Sequence, residues 1–228
     1  MNGNIEVAQA GIGRLQTDKE LTAVLDAAEG KKRVRTLEAQ GESALTYIDP
    51  EHALGHTLKC YGRIKVDHAK MESQFHSPKD AEGKIIDGLQ VYFQDDKGDV
   101  HADRAFIKYE EADGKLAPVR VVLEGNVKIV NKVAKAKGDP ALTQQYILAD
   151  RVDFIPGTKE MIFKAEKGRR VLLYDKYNNI EVSAPSLKLI RDQAATKETL
   201  QGIGGVRLNF VEGELDQLRR RFLLDKKP

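Results

Sequence analysis

Short segments in which apolar and polar residues alternate recur along most of this chain, each opened by a turn or a glycine. Val127 and Ile129 flank Lys128, Ile64 and Val66 flank Lys65, and Leu89, Val91 and Phe93 are split by Gln90 and Tyr92. Val206, Leu208 and Phe210 repeat the pattern around Arg207 and Asn209. In an extended chain successive side chains point to opposite faces, so each segment carries one apolar and one polar face. Clusters of Gly, Pro, Asp and Lys bound the segments, the signature of many short strands joined by tight turns. "DDKG" (95–98), "IPGT" (155–158) and "KYNN" (176–179) are the plainest turns, because Gly and Asn tolerate positive φ.

The segments come in copies. Ala102-Asp103-Arg104 leads through Phe106, Ile107, a polar turn and an apolar run to Gly125-Asn126-Val127-Lys128-Ile129. Ala149-Asp150-Arg151 leads through Phe154, Ile155, a Pro-Gly turn and Met161-Ile162-Phe163 to Gly168, then Val171-Leu172-Leu173. A third copy runs from Ser183-Ala184-Pro185 to Gly205-Val206-Arg207-Leu208, and a weaker one from Glu38-Ala39-Gln40-Gly41 to Gly62-Arg63-Ile64. Fixed order with uneven spacing places insertions in the turns, as when each copy is one supersecondary unit. One hairpin-like rung cannot bury its apolar face alone. The rungs must stack, leaving two end strands whose backbone is either capped or paired with a partner.

Two stretches depart from this period. Leu21, Val24, Leu25 and Ala28, within residues 20–30, sit at helical spacing and fit a helix or a strand and turn. Leu215, Leu218 and Phe222 form a stripe followed by cationic residues, which suits a helix C-terminus. The sequence therefore predicts a stack over residues 1–211 and a helical tail over 212–228. That tail is expected to fold back over the open end of the stack.

Composition narrows the function classes. Of the 228 residues 37 are basic and 35 acidic, and the net charge of +2 lacks the excess of a dedicated nucleic-acid binder. No window approaches the ~20 apolar residues of a membrane span. A lone Cys60 excludes an internal disulfide. Met1-Asn2-Gly3-Asn4 has no basic or apolar leader character, which fits a cytosolic chain and a processed secreted one equally.

No catalytic, cofactor or metal site is expected. Adjacent Asp103-Arg104 and Asp150-Arg151 read as solvent-side ladder pairs rather than stacked catalytic carboxylates. His52, His56, His68 and His76 lack a completed ligand set at diagnostic spacing. Gly202-Ile203-Gly204-Gly205 has no strand-to-helix context for a dinucleotide, and Arg219-Arg220-Arg221 reads as a solvated face.

"LEGNVKIVN", "LADRVDFIPGTKEMIFKAEKGRRVLLYD", "VSAPSLKLIRD" and "LQGIGGVRLNF" resemble the OstA-like domain of the lipopolysaccharide-transport protein A family, best over residues 100–211. The resemblance implies an all-β fold, a twisted and partly open β-jellyroll of stacked antiparallel rungs. It implies a periplasmic bridge that carries lipopolysaccharide from inner to outer membrane, its lipid A acyl chains lying in an apolar groove. Period-two placement assigns Ile64, Val66, Val127, Ile129, Met161, Phe163, Val171, Leu173, Val182, Leu208 and Phe210 to that inner face. The last strand, Val206, Arg207, Leu208, Asn209 and Phe210, would offer its edge to the OstA-like domains of an inner-membrane adaptor and an outer-membrane translocon, or to a second copy head to tail. Two other readings stay open: a β-solenoid scaffold that assembles without ligand, and a carbohydrate-active β-helical enzyme.

Overall fold

In the computed structural model the described residues are 5–9, 13–28, 31–47, 56–94, 98–112, 115–134, 142–176, 179–192 and 197–209. The alternating segments are strands of one 19-stranded antiparallel sheet, and the chain zigzags between two rows of it. β1 (Ile5–Gln9) and β2 (Gly13–Thr17) form a hairpin in the first row. The chain crosses at Asp18 and Lys19 into the second row, where β3 (Glu20–Ala28) pairs β4 (Lys31–Gln40). It returns at Gly41 for β5 (Ser43–Tyr47) and β6 (His56–Cys60), then crosses again at Tyr61-Gly62 for β7 (Arg63–Asp67) and β8 (Glu72–His76). After an excursion through residues 77–90, β9 (Val91–Gln94) and β10 (Gly98–Ala102) lie in the first row, and Asp103 leads into β11 (Arg104–Ala112) of the second.

β12 (Lys115–Ala134) and β13 (Leu142–Ile155) belong to both rows. β12 passes from second row to first at Gly125-Asn126, and β13 passes back at Asp150. A 3-10 turn, Pro156–Thr158, leads to β14 (Glu160–Lys164) in the second row. β15 (Val171–Asp175) and β16 (Ile180–Ala184) occupy the first, β17 (Ser186–Asp192) and β18 (Lys197–Ile203) the second, and β19 (Arg207–Asn209) closes the first.

Among the described residues the crossings fall on one side, which makes a seam, and the hairpin turns at residues 68–71 and 156–159 fall on the other, the hairpin side. Main-chain bonds stitch the seam: Asp18 N–H to Glu42 O (3.1 Å), Gly41 N–H to Gly62 O (2.9 Å), Ser77 N–H to Asp103 O (2.9 Å) and Ala165 N–H to Pro185 O (3.0 Å). Among the described residues no ladder joins the rows on the hairpin side. The result is a partly open β-jellyroll whose two rows face each other. Buried residues of both rows pack together in two clusters, one around Phe75 and Ile64, the other around Phe163 and Leu187, with Leu123 against both.

Several expectations need correction. Of the two readings left open for residues 20–28 the strand is the one found: β3 is an end strand that exposes Val24 (49%) and Leu25 (51%), so apolar residues lie on both faces and imitate a helical spacing. A register shift between Val24 and Leu25 strengthens the imitation. Leu89 lies before β9, in the excursion. The left-handed residue of "IPGT" is the following Lys159 (φ 52°), not Gly157. Tail residues 212–228, and Phe210, lie outside the described residues.

Candidate functional site

Cross-strand registers show what the two inner faces present. In the first row Val7 lies opposite Leu15, Leu15 opposite Leu45, Leu45 opposite Leu58 and Leu58 opposite Phe93. The line continues through Val100, Ile129, Ile147, Leu173 and Val182 to Leu208. It is an unbroken apolar ladder running the length of the row from β1 to β19. The second row answers with Ala39, Ile64, Phe75, Ala105, Leu123, Val152, Phe163 and Leu187 in register. Period-two alternation sets the face, and antiparallel pairing adds the faces into lines.

Burial grades from seam to hairpin side. Next to the seam stand small residues, Ala39 (0%), Ala102 (1%) and Ala184 (0%), with Cys60 and Ser43, which let the rows approach closely. That is the role of the repeated alanines: Ala102 and Ala149 are the last inward residues before the chain leaves the first row. Burial also pushes the Cys60 thiol up, and its Sγ donates to His76 O. Farther from the seam Leu45, Phe93, Ile129 and Leu173 in the first row, and Val66, Ile107 and Met161 in the second, are only half-buried. The two apolar inner faces make a trough in this sense only: tightly buried at the floor beside the seam, half-buried toward the hairpin side.

The residues assigned from sequence divide accordingly. Ile64, Val127, Phe163, Val171 and Val182 are buried at or near the floor, while Val66, Ile129, Met161 and Leu173 are half-buried above it. Leu208 is inward by register but 42% exposed, because β19 is an end strand. Arg207, Leu208 and Asn209 pair β16 by one edge, and among the described residues no strand pairs their other edge. Val206 precedes β19 and is 50% exposed. Leu15, Leu45, Leu58, Val100, Ile147 and Leu187 complete the lines and were not singled out by sequence. Their signal was available in part, since Leu187 and Leu189 flank Lys188.

The paired Asp-Arg copies split. Arg104 and Arg151 do stand on the outer face, both against Glu124. Asp103 and Asp150 do not face solvent; each is 9% exposed at the seam. The Asp103 carboxylate accepts from Gln90 Nε2 (3.0 Å) and Asn126 Nδ2 (2.9 Å). Asp150 accepts from Glu166 N–H (2.7 Å) and meets Arg169 (2.6 Å). Both fasten corners: Asp150 accepts a backbone donor that the turning chain leaves, and Asp103 ties two side-chain amides together.

Above the first-row ladder, two residues farther from the seam, the inward line turns polar. Asn131 pairs Gln145 and Gln145 pairs Asp175 in register. Asn131 Nδ2 donates to Gln145 Oε1 (3.2 Å), and Gln145 Nε2 donates to Asp175 Oδ2 (3.0 Å). Asp175 is 5% exposed, beside the buried Ile180. The histidines serve other ends. His68 meets the Tyr109 hydroxyl (3.1 Å), His76 packs edge-on against Phe106, and burial pushes both imidazoles below their ordinary range. Among the described residues no group of His, Cys, Asp and Glu has a metal-holding arrangement; His52 lies outside them. No known family model and no curated protein matches the chain.

Proposed function

We propose that this chain is a non-enzymatic bridge in the periplasm that carries an amphiphile, lipopolysaccharide, between inner and outer membranes, its acyl chains lying in the trough. The observation that carries the reading is the apolar ladder from Val7 to Leu208, whose outward neighbours include Lys59, Lys128 and Arg207. Each methylene withdrawn from water contributes about 0.8 kcal/mol, so a dozen offer roughly 9–10 kcal/mol before association costs. The half-buried line of Ile129, Leu173, Val66 and Met161 is where that exchange takes place. A headgroup stays wet on the hairpin side, and movement along an unbroken line needs no bond chemistry.

The ends support passage between molecules. Val24 and Leu25 on β3, and Ile203, Val206 and Leu208 near β18 and β19, are large apolar residues left exposed at opposite ends of the stack. Open strand edges invite pairing, here with a second copy or with the OstA-like domains of a membrane adaptor and translocon. The same ends favour a second reading, a ligand-free self-assembling scaffold. One experiment separates the two. A photo-crosslinking amino acid at Ile129 or Leu173 should capture added lipopolysaccharide, and one at Lys128 should not. Equal capture at Ile129 and Lys128, or none at any position, overturns the carrier reading.

A further inference from the structure

We propose that the Asn131–Gln145–Asp175 rung selects the amphiphile, admitting a neck rich in hydroxyl or amide N–H donors, as in an acylated sugar, and disfavouring a chain joined directly to phosphate. The inference rests on the carrier reading and deepens it. Three observations carry it. First, the rung is inward: Asn131 continues the Val127, Ile129 line, Gln145 the Ala149, Ile147 line, and Asp175 the Val171, Leu173 line. Second, it lies one inward position beyond the apolar ladder, about 6–7 Å along the strands, so it meets the first polar atoms after an acyl chain. Third, both amides donate toward the carboxylate, Asn131 to Gln145 and Gln145 to Asp175, so the charge at the buried end polarises the amide oxygens outward along the rung.

Inward polar side chains at this depth are costly, and sheets usually fill such positions with apolar residues. Hydrogen bonds join the members of the rung, and Asn131 and Gln145 are half-buried on the same inward face as the half-buried Ile129. An amide pair polarised by a carboxylate accepts neutral donors well. A phosphate at the same depth would face the Asp175 carboxylate with like charge in a site of reduced dielectric, where such repulsion is strong. Selection therefore works by an unfavourable encounter as well as a favourable one.

The test uses the purified full chain and two single-chain probes of equal length, dodecyl maltoside and dodecyl phosphate. Both are titrated calorimetrically below their micelle-forming concentrations. The wild type should bind the maltoside at least about tenfold more tightly than the phosphate, and Asp175→Asn should shrink that ratio at least about threefold, mostly by tighter phosphate binding. Gln145→Leu should lose maltoside affinity. Far-UV circular dichroism checks each variant's fold; if Asp175→Asn unfolds, Asn131→Leu at the half-buried end is read in its place. If the wild type binds both probes and no variant moves their ratio, the rung has no selective role while the carrier reading stands. If the wild type binds neither probe, both fall together.

Discussion

Replacing Asp150 by Ala should destabilise the protein because of a backbone amide, not because of the visible ion pair. Asp150 makes two contacts: Oδ2 accepts from the Glu166 N–H at 2.7 Å, and Oδ1 meets Arg169 at 2.6 Å. The arginine side chain is 60% exposed, so its pair with Asp150 contributes at most about 1 kcal/mol. The amide sits at a corner and has no other acceptor among the described residues, and leaving such a donor unmet costs about 1–3 kcal/mol. Asp150→Ala is thus expected to cost about 2–3 kcal/mol, Asp150→Asn about 1 or less, since its amide oxygen still accepts, and Arg169→Ala under about 1. With a urea m-value of about 3 kcal/mol/M, the alanine variant's midpoint falls by about 0.7–1 M. The chain has no Trp, so far-UV circular dichroism is the suitable probe. If Arg169→Ala shifts the midpoint as far as Asp150→Ala, the corner argument is wrong and the ion pair is what matters.

Other expectations can be checked alongside. Phe163→Ala, at a 0% exposed position between the rows, should cost about 3–5 kcal/mol in the same urea titration. Gly125 (φ +73°) and Gly168 (φ +87°) both need the left-handed region, but a Cβ at Gly125 would press on the Asp103 carboxylate while Gly168 borders open space. Gly168→Ala should therefore cost about 1 kcal/mol and Gly125→Ala measurably more. The Arg120 guanidinium, by hydrogen bond and charge, holds the Asp153 carboxyl below the usual carboxylate range. A carboxyl depressed in the folded state stabilises fully above its unfolded value of ~3.9, and that stabilisation is lost as pH falls through the lower folded value. Arg120→Gln should then cost up to about 1 kcal/mol at pH 7, with wild type and variant converging in acid. A deficit independent of pH would contradict the assignment. Removing residues 212–228 tests the tail expected to fold over the open end: the truncated chain should gain apparent mass with concentration in light scattering, and a persistent monomer would assign the capping elsewhere.

Much of the fold was legible because alternation is a local property. Ile64-Lys65-Val66 and Val127-Lys128-Ile129 declare their faces without reference to any neighbour, and both are inward where expected. Register is not local. That Ile129 lies between Val100 and Ile147 depends on where two hairpins turn, so the line across the row could not be read from any one segment. The corner role of Asp103 and Asp150 was hidden for a related reason: only a chain known to change rows at those positions needs an acceptor there. The polar rung was missed because Asp175 abuts the "KYNN" turn and reads as its beginning. Its parity with Val171 and Leu173 was the available clue.

The two long strands, β12 and β13, have a consequence for how such a chain reaches its native state. Among the described residues they form the longest ladder, from Val121 with Phe154 to Ala134 with Leu142, and only residues 135–141 separate them in sequence. Closing a short loop for many hydrogen bonds is the least costly way to begin, since the entropy lost grows with loop length while each added pair brings its own return. Because each later hairpin docks only on neighbours already in place, growth can zip outward in both directions, as in repeat proteins. The middle is then the oldest part of the structure and the ends the youngest. End strands formed last are held by the fewest neighbours, open first in hydrogen exchange, and reach other chains before the centre loosens.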